Sequence, residues 1–400
     1  MKRMLKLGIL FLAAALLTAG HAFGADSVET GFQAFYNLDY SAALMSFDAA
    51  AAADPGNPDL HNHIAQTLLY RELWRNGSLE SQLVSGNNSF LRRAKLNPSP
   101  EIEKRFFAEI DKALALSGAR ISKNPQDAPA IHMAGASHAL RANFNFLVRK
   151  AWNEALADAT EARKLDMKAT EIDPTLIDAK MVQGVHDYVV GSLSWTYKTL
   201  GFLAGFRGDK QRGIKLVEEV YKNGKASRID AQIMLCVLYR REKQTKRAIP
   251  LLEDLIRQFP QNYLFRFEAA QLFSVLGERA KCLAALDEVA ALKQAGAPGY
   301  ERVPWDKIWF QKGNLLFWFN DLDESMANLR KVTSNPKELD LNTGVLAYMR
   351  QGQILDLKNQ HDQAVKLYEM AMNFAPEADA ARESRHYVSN PYDRNSKWRP

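Results

Sequence analysis

A recurring spacing of small residues constrains this chain more than any other feature. Near one end Gly352 is followed by Ala364, Tyr368, Ala371 and Pro376; near the other, Gly31 is followed at the same offsets by Ala43, Phe47, Ala50 and Pro55. Two antiparallel helices joined by a short turn account for such a pattern. Glycine or alanine where the helices cross lets the backbones approach, and a large residue one turn further on fills the adjoining space. A proline then opens the next unit, in a place where its missing N–H costs little. One hairpin of this kind cannot bury its apolar face alone, so the repeat implies hairpins stacked around a continuous core.

Extending the frame along the sequence yields about eight units. The first small position is held in turn by Gly31, Ala65, Gly135, Gly184, Cys236, Ala270, Gly313 and Gly352. The second is held by Ala43, Ala113, Ala162, Gly213, Ala248, Cys282, Ser325 and Ala364. Through these residues the chain resembles the tetratricopeptide repeat superfamily, whose pattern has small residues at positions 8, 20 and 27, a large one at 24 and proline at 32. The stretch from Asp187 to Pro260, including YVVGSLSWTYKTLGFLAGFRGDKQRGIKLVEEVYKNGK, is similar more narrowly to exported bacterial proteins of this class. More distantly it is similar to the eukaryotic inclusion-body-clearance repeat family. The resemblance implies an all-α fold, a right-handed superhelical solenoid of about eight hairpins over residues 26–376, and work as an interaction scaffold.

The first half departs from regularity. Pro55 to Pro125 spans 70 residues, Pro125 to Pro174 spans 49 and Gly184 to Cys236 spans 52, against about 34 for a standard unit. Excesses of 15 and 18 residues are close to whole helical turns shared over two arms, so longer hairpins absorb them. The larger excess is read as an insertion near 71–105, where Asn76-Gly77 and Gly86-Asn87-Asn88 signal turns. The stretch 188–206, with Lys198 its only charge, is apolar on every side, as expected of a buried helix. Its alternative reading is a surface for lipid, another hydrophobic ligand or a membrane. Residues 377–400 are expected to form a polar capping helix over Glu377–Val388 and then a loose tail.

The N-terminus carries Lys2, Arg3 and Lys6, then an apolar run from Leu7 to Leu17, then small residues through Ala25. That order is a secretory signal peptide over residues 1–24, with cleavage expected near residues 22–25. The run is too short for a span, which needs about 20 apolar residues. With no cysteine beside the cleavage region, a lipoprotein anchor is not expected, and the mature chain is expected in the periplasm or outside the cell. Loss of the leader removes three positive charges and no acid, taking the net charge from +6 to +3. So mild a balance argues against a dedicated nucleic-acid binder.

Motif-like fragments dissolve against the repeat. Gly135-Ala136-Ser137-His138-Ala139 has the outline of a nucleophile elbow, but that device needs a strand-to-helix turn and Gly135 is a helix-crossing residue. Gly224-Lys225-Ala226-Ser227 lacks the first glycine of a phosphate loop and follows a helix. His61 and His63 point to different helix faces, while His132, His138 and His186 lie in neighbouring units without a cysteine or carboxylate at ligand spacing. No catalytic group, metal or cofactor is expected, and the chain is read as a non-enzyme. Cys236 and Cys282 occupy different crossing points of adjacent units and are expected to be free, buried thiols.

The first helix of each unit should line a concave groove through its positions 2, 5, 9 and 12. That places Tyr188, Arg240, Phe267, Gln271, Phe310, Asn314 and Phe317 as the candidate ligand-binding residues, and Met349, Gln353 and Asp356 on the same side of the last unit. Aromatic residues among scattered amides and charges suit a peptide or protein partner. The expected function is therefore a protein-interaction scaffold of the cell envelope. Peripheral membrane contact, or a carrier for lipid, is left open by the 188–206 stretch. Oligomeric state is not legible.

Overall fold

The structure, a computed structural model, describes residues 27–79, 98–192 and 208–395. The expected signal peptide, most of the insertion near 71–105, residues 193–206 of the apolar stretch and Trp398 in the tail lie outside the described residues. Among the described residues every regular element is helical. The elements are α1 (27–36), α2 (Tyr40–Ala53), α3 (Pro58–Arg75), α4 (Pro100–Lys123), α5 (Ala128–Phe144) and α6 (Trp152–Ile172). They continue as α7 (Lys180–Ser192), α8 (Lys210–Asn223), α9 (Arg228–Arg241), α10 (Thr245–Gln258), α11 (Tyr263–Val275) and α12 (Arg279–Gln294). The last are α13 (Trp305–Trp318), α14 (Leu322–Thr333), α15 (Leu341–Leu357), α16 (His361–Phe374) and α17 (Asp379–Ser389). Aspartate, serine or asparagine side chains cap several N-termini. Asp39 accepts from the Ala42 N–H, Ser99 from Ile102 and Asp340 from Thr343.

The described chain divides into two compact units. One contains residues 27–72 and 98–238, and the other contains 73–79 and 239–395. Consecutive helices pack in pairs within each unit, α5 on α6 and α7 on α8 in the first, α11 on α12, α13 on α14 and α15 on α16 in the second. Every residue at the two small positions is buried, from Ala43, Ala113 and Ala162 to Cys282, Ser325 and Ala364. The crossings are tight. A Cβ added to Gly31 would sit 2.6 Å from the Phe47 ring, and one on Gly352 would sit 2.5 Å from the Tyr368 ring. The large residue at position 24 thus occupies the space that the missing side chain leaves. Cys236 and Cys282 are both buried and neither forms a disulfide, as expected.

The turn between paired helices recurs as closely as the crossing does. In five hairpins the residue seven after the first small position is left-handed: Leu38 (φ 64°), Lys243 (58°), Gly277 (75°), Asn320 (66°) and Asn359 (58°). The next N–H closes onto the carbonyl five residues back: Asp39 to Ala34, Gln244 to Tyr239, Glu278 to Phe273, Asp321 to Leu316 and Gln360 to Leu355. This is the helix-ending bond that satisfies a stranded carbonyl. For the four non-glycine residues the conformation costs about 1–2 kcal/mol each, against which stands the bond to a carbonyl otherwise left unpaired.

The irregular hairpin α5–α6 uses the same device further out. Helix α5 runs into a π turn, Asn145–Arg149, and the left-handed residue is Lys150 (φ 56°). That is eight residues beyond the regular place, and Ala162 then follows seven residues later than in the first hairpin. Both arms are lengthened by about two turns, which accounts for the excess of 15. At the insertion, α3 reaches Arg75 and α4 starts at Pro100, so both ends of the interval 71–105 belong to long hairpin helices. Gly77, with φ 65°, forms the expected turn.

The unit of residues 27–72 and 98–238 departs from the repeat in its polar interior. Position 24 is Ser117 in the second hairpin and Asp166 in the third, both fully buried. Asp166 Oδ1 lies 2.8 Å from His132 Nδ1, and a Cβ on Gly135 would come within 2.8 Å of the same oxygen. Burial opposes the charged imidazole of His132, yet Asp166 outweighs it and holds its pKa above the ordinary value; burial likewise pushes the Asp166 carboxyl up. His138 pairs with Asp158, which also takes Arg141, and His61 pairs with Glu109. The histidines are thus each absorbed by a nearby carboxylate and do not converge. In the same unit Tyr36 of α1 and Gln66 of α3 both donate to Asp230 of α9, across 194 and 164 residues. Three first helices meet there on one half-buried carboxylate.

Two glycines separate close packing from mere helix propensity. Gly352→Ala must displace a Tyr368 ring that is anchored by its hydroxyl to Asp356 at 2.6 Å; it should cost about 1–3 kcal/mol. Gly118 lies inside α4 with nothing within 4 Å of an added Cβ, and Gly118→Ala should stabilise by roughly 0.5–1 kcal/mol. Urea unfolding of both variants checks this; equal shifts would contradict the crossing account.

Candidate peptide-binding site

Within the unit of residues 73–79 and 239–395, the faces expected to line a groove bond to one another across successive first helices. Arg240 donates to Glu268 at 2.7 Å, Gln271 to Gln311 at 3.0 Å, and Arg350 to Asn314 at 3.1 Å. Phe267 is fully buried with its ring 5.4 Å from that of Tyr263, and Phe310 is half-buried against the core around Phe317 and Tyr368. In the other unit Tyr188 is buried, with Lys210 over its ring and its backbone against Gly213. Tyr188, Arg240 and Phe267 therefore serve packing more than a free surface, and the buried Phe317 ring is covered by Arg350 and Arg394. The reason is distance: first helices that pack directly bring positions 5, 9 and 12 of one within reach of the next. Gln271, Phe310 and Asn314 keep partial exposure.

The Arg240–Glu268 pair shows what such burial demands. Burial lowers the Arg240 pKa and raises the Glu268 carboxyl to about 8, against the pull of its partner. Glu268 Oε1 and Arg240 Nε and Nη2 have no partner among the described residues. Removing one member of a pair like this leaves the other stranded, so it acts as a fixed strut between α9 and α11.

The last repeat holds the most developed cluster. Phe317 and Trp318 end α13, and Arg350 of α15 lies over both rings at 4.2 and 4.9 Å. Arg350 donates to Asn314 and to Gln353 at 2.5 Å, both neutral amides. Burial lowers its pKa to about 10. One turn beyond Gln353, Asp356 is a carboxylate hub. It faces His361 Nδ1 at 2.7 Å and accepts from the Tyr368 hydroxyl at 2.6 Å and the Tyr392 N–H at 2.7 Å. Burial, then the Asp356 bond, holds the Tyr368 hydroxyl far above the usual tyrosine range.

That last bond comes from the tail. Residues 390–395 leave α17 and lie across α13 and α15, which corrects the expectation of a loose end from Ser389 onward. The Arg394 guanidinium stands 4.4 Å from the Phe317 ring centre and donates to the Phe317 carbonyl at 2.5 Å. A cation is favoured at that helix C-terminus. The Tyr392 ring lies 6.0 Å from Phe317 and 5.4 Å from Tyr387. Sequence reasoning placed Asn314, Phe317, Gln353 and Asp356 here but missed Trp318, Arg350, Tyr392 and Arg394. The available signal was the alternation of Tyr392 and Arg394 with Asp393 and Asn395 near the end of the sequence.

Small residues meet where the helices cross, a large one fills position 24, and a left-handed residue ends the first helix in hairpin after hairpin. The chain has the tetratricopeptide fold. No family model matches the sequence, and no curated protein matches it. Among solved structures it is similar to yeast Tom70, at 14% identity over 92% of this chain and 95% of that one, with a TM-score of 0.41. A tetratricopeptide repeat protein from Parabacteroides merdae aligns at 13% identity over 88% of this chain and 100% of its own, with a TM-score of 0.33. The human IFIT1 dimer with m7Gppp-AAAA aligns at 13% identity over 93% of this chain and 83% of that one, with a TM-score of 0.46. At scores this low, the tetratricopeptide assignment rests on the hairpins' own contacts.

The other bland sites resolve within that fold. Ser137 is a buried helical residue whose hydroxyl donates toward Asn62 and the Met133 carbonyl, with no base beside it. Among the described residues no group of His, Cys, Asp and Glu is placed to hold a metal, and no helix is long and apolar enough to cross a membrane.

His361 links the cluster to pH. Its Nδ1 faces the Asp356 carboxylate and its Nε2 faces the Val388 carbonyl at 3.2 Å. Both are acceptors, so both bonds form only with the imidazolium, and the Asp356 bond raises its pKa. A raised native pKa means the folded chain holds this proton more tightly than the unfolded one. The contribution is complete below the ordinary value of about 6.5 and is lost as pH rises through the raised one. The urea midpoint difference between wild type and His361→Gln should therefore shrink above about pH 6.5; a difference that stays constant across that range would contradict it.

Proposed function

We propose that this chain is a non-enzymatic, exported scaffold of the cell envelope that binds a protein partner through an extended segment. The binding surface is the first-helix face of its last repeats. One observation carries the reading: residues 390–395 lie there as a non-helical segment that ends in a turn at 394–395, held by a backbone bond to Asp356 and by side chains on Phe317. Recognition that combines main-chain bonds with alternating side chains is how folded domains read peptides. The signal-like N-terminus and the mild net charge of the mature chain support export and a protein partner over nucleic acid. Trp318, 54% exposed beside the tail, gives the surface an open aromatic anchor.

A photo-crosslinking amino acid at Trp318, in cells exporting the protein, should yield a discrete adduct with an envelope protein. The same substitution at Met45, 74% exposed on α2, should not. No adduct from Trp318, or the same adduct from both positions, would overturn the reading.

A further inference from the structure

The tail alternates in burial from Pro391 to Asn395. Tyr392 and Arg394 are half-buried, while Pro391, Asp393 and Asn395 are exposed. The two inward residues are two apart, Tyr392 in the irregular stretch 391–393 and Arg394 in the turn that follows it. Their anchors are few and mostly generic. One backbone N–H meets Asp356, one guanidinium meets the end of α13, and one aromatic ring lies between Phe317 and Tyr387.

The seating is also imperfect in a specific way. Arg350 and Arg394 both stand over Phe317, at 4.2 and 4.4 Å from its centre. Among the described residues neither has an ion-pair partner, and Arg394 Nε has no acceptor. Two cations thus share one buried ring, and the nearby Glu383 carboxylate offsets part of their repulsion at Arg350. The Trp318 side of the cluster stays open. These are the properties of an occupant that is held by proximity more than by fit.

We propose that the face formed by Phe317, Trp318, Arg350 and Asp356 is a docking site for an extended partner segment that carries an aromatic residue and, two residues on, an arginine. The chain's own residues 390–395 are the resident competitor for that site. A partner segment with the same two anchors takes over the Asp356 bond and the carbonyl at the end of α13 once the tail leaves. The tail is tethered directly behind α17, so its effective concentration is high and weak or non-matching segments are excluded. This rests on the scaffold reading above and names the chemistry of its ligand.

The test uses the full chain and a labelled peptide with the sequence of residues 388–396, VSNPYDRNS, followed by fluorescence anisotropy. The Tyr392→Ala, Arg394→Ala double variant alters only half-buried tail residues and should bind the peptide at least about tenfold more tightly than wild type, because the tethered competitor is disabled. Adding Trp318→Ala should weaken that binding, and replacing the arginine of the peptide by alanine should abolish it. Circular dichroism confirms that each variant is folded. Failure of the folded double variant to bind would overturn the docking site, while leaving the crosslinking test of the scaffold reading to stand or fall by itself. Equal binding to wild type and variant would overturn the tail's role as competitor. A wild-type dimer abolished by the double variant would show that the tail seats in a second copy, and would overturn the intramolecular arrangement.

Discussion

The close crossing of paired helices is the interaction on which the rest of this structure depends. Where position 8 lacks a side chain, the backbones come near enough for one ring or branched residue to fill the gap, as Phe47 does at Gly31 and Tyr368 at Gly352. That geometry fixes the angle of each hairpin and hence which residues of one first helix reach the next. The bonds from Gln271 to Gln311 and from Arg350 to Asn314 follow from it. So does the placement of Asp356 beside Tyr368, whose ring lies on Gly352 and whose hydroxyl then reaches the carboxylate.

How much of this the sequence carried depends on whether a feature leaves a chemical mark. Small residues at a crossing are a steric requirement, so Gly31, Ala162 and Gly352 were legible from spacing alone. The left-handed turn is equally regular but falls on Leu38, Lys243, Gly277, Asn320 and Asn359. Those side chains share nothing, because the conformation is imposed by the helix-ending bond and not chosen by the residue. The lengthening of α5 and α6 was legible as an excess, whereas its near-equal division between the arms needed the position of Lys150.

The candidate site was half legible for a related reason. Helical periodicity put Asn314, Phe317, Gln353 and Asp356 on one face, as the structure has them. Periodicity says which face a residue occupies and not what covers it, so Arg240 and Phe267 were read as groove and are packing. The buried pairs of the other unit were hidden in the same manner. Asp166 breaks the apolar rule at position 24, and only its contact with His132 explains how a carboxylate is tolerated there. The tail escaped because a short polar terminus has the composition of a loose end. Its order comes from a tertiary acceptor, Asp356, 36 residues earlier in the chain.

The central claim is that the first-helix face of the last repeats holds a non-helical segment through Asp356. Amide hydrogen exchange at Tyr392 measures that bond directly, since its N–H donates to a buried carboxylate oxygen at 2.7 Å. The account predicts that this amide exchanges at least about a hundredfold more slowly than in an unstructured peptide, and that Asp356→Ala abolishes the protection. Exchange at the unstructured rate in the wild-type protein would contradict it.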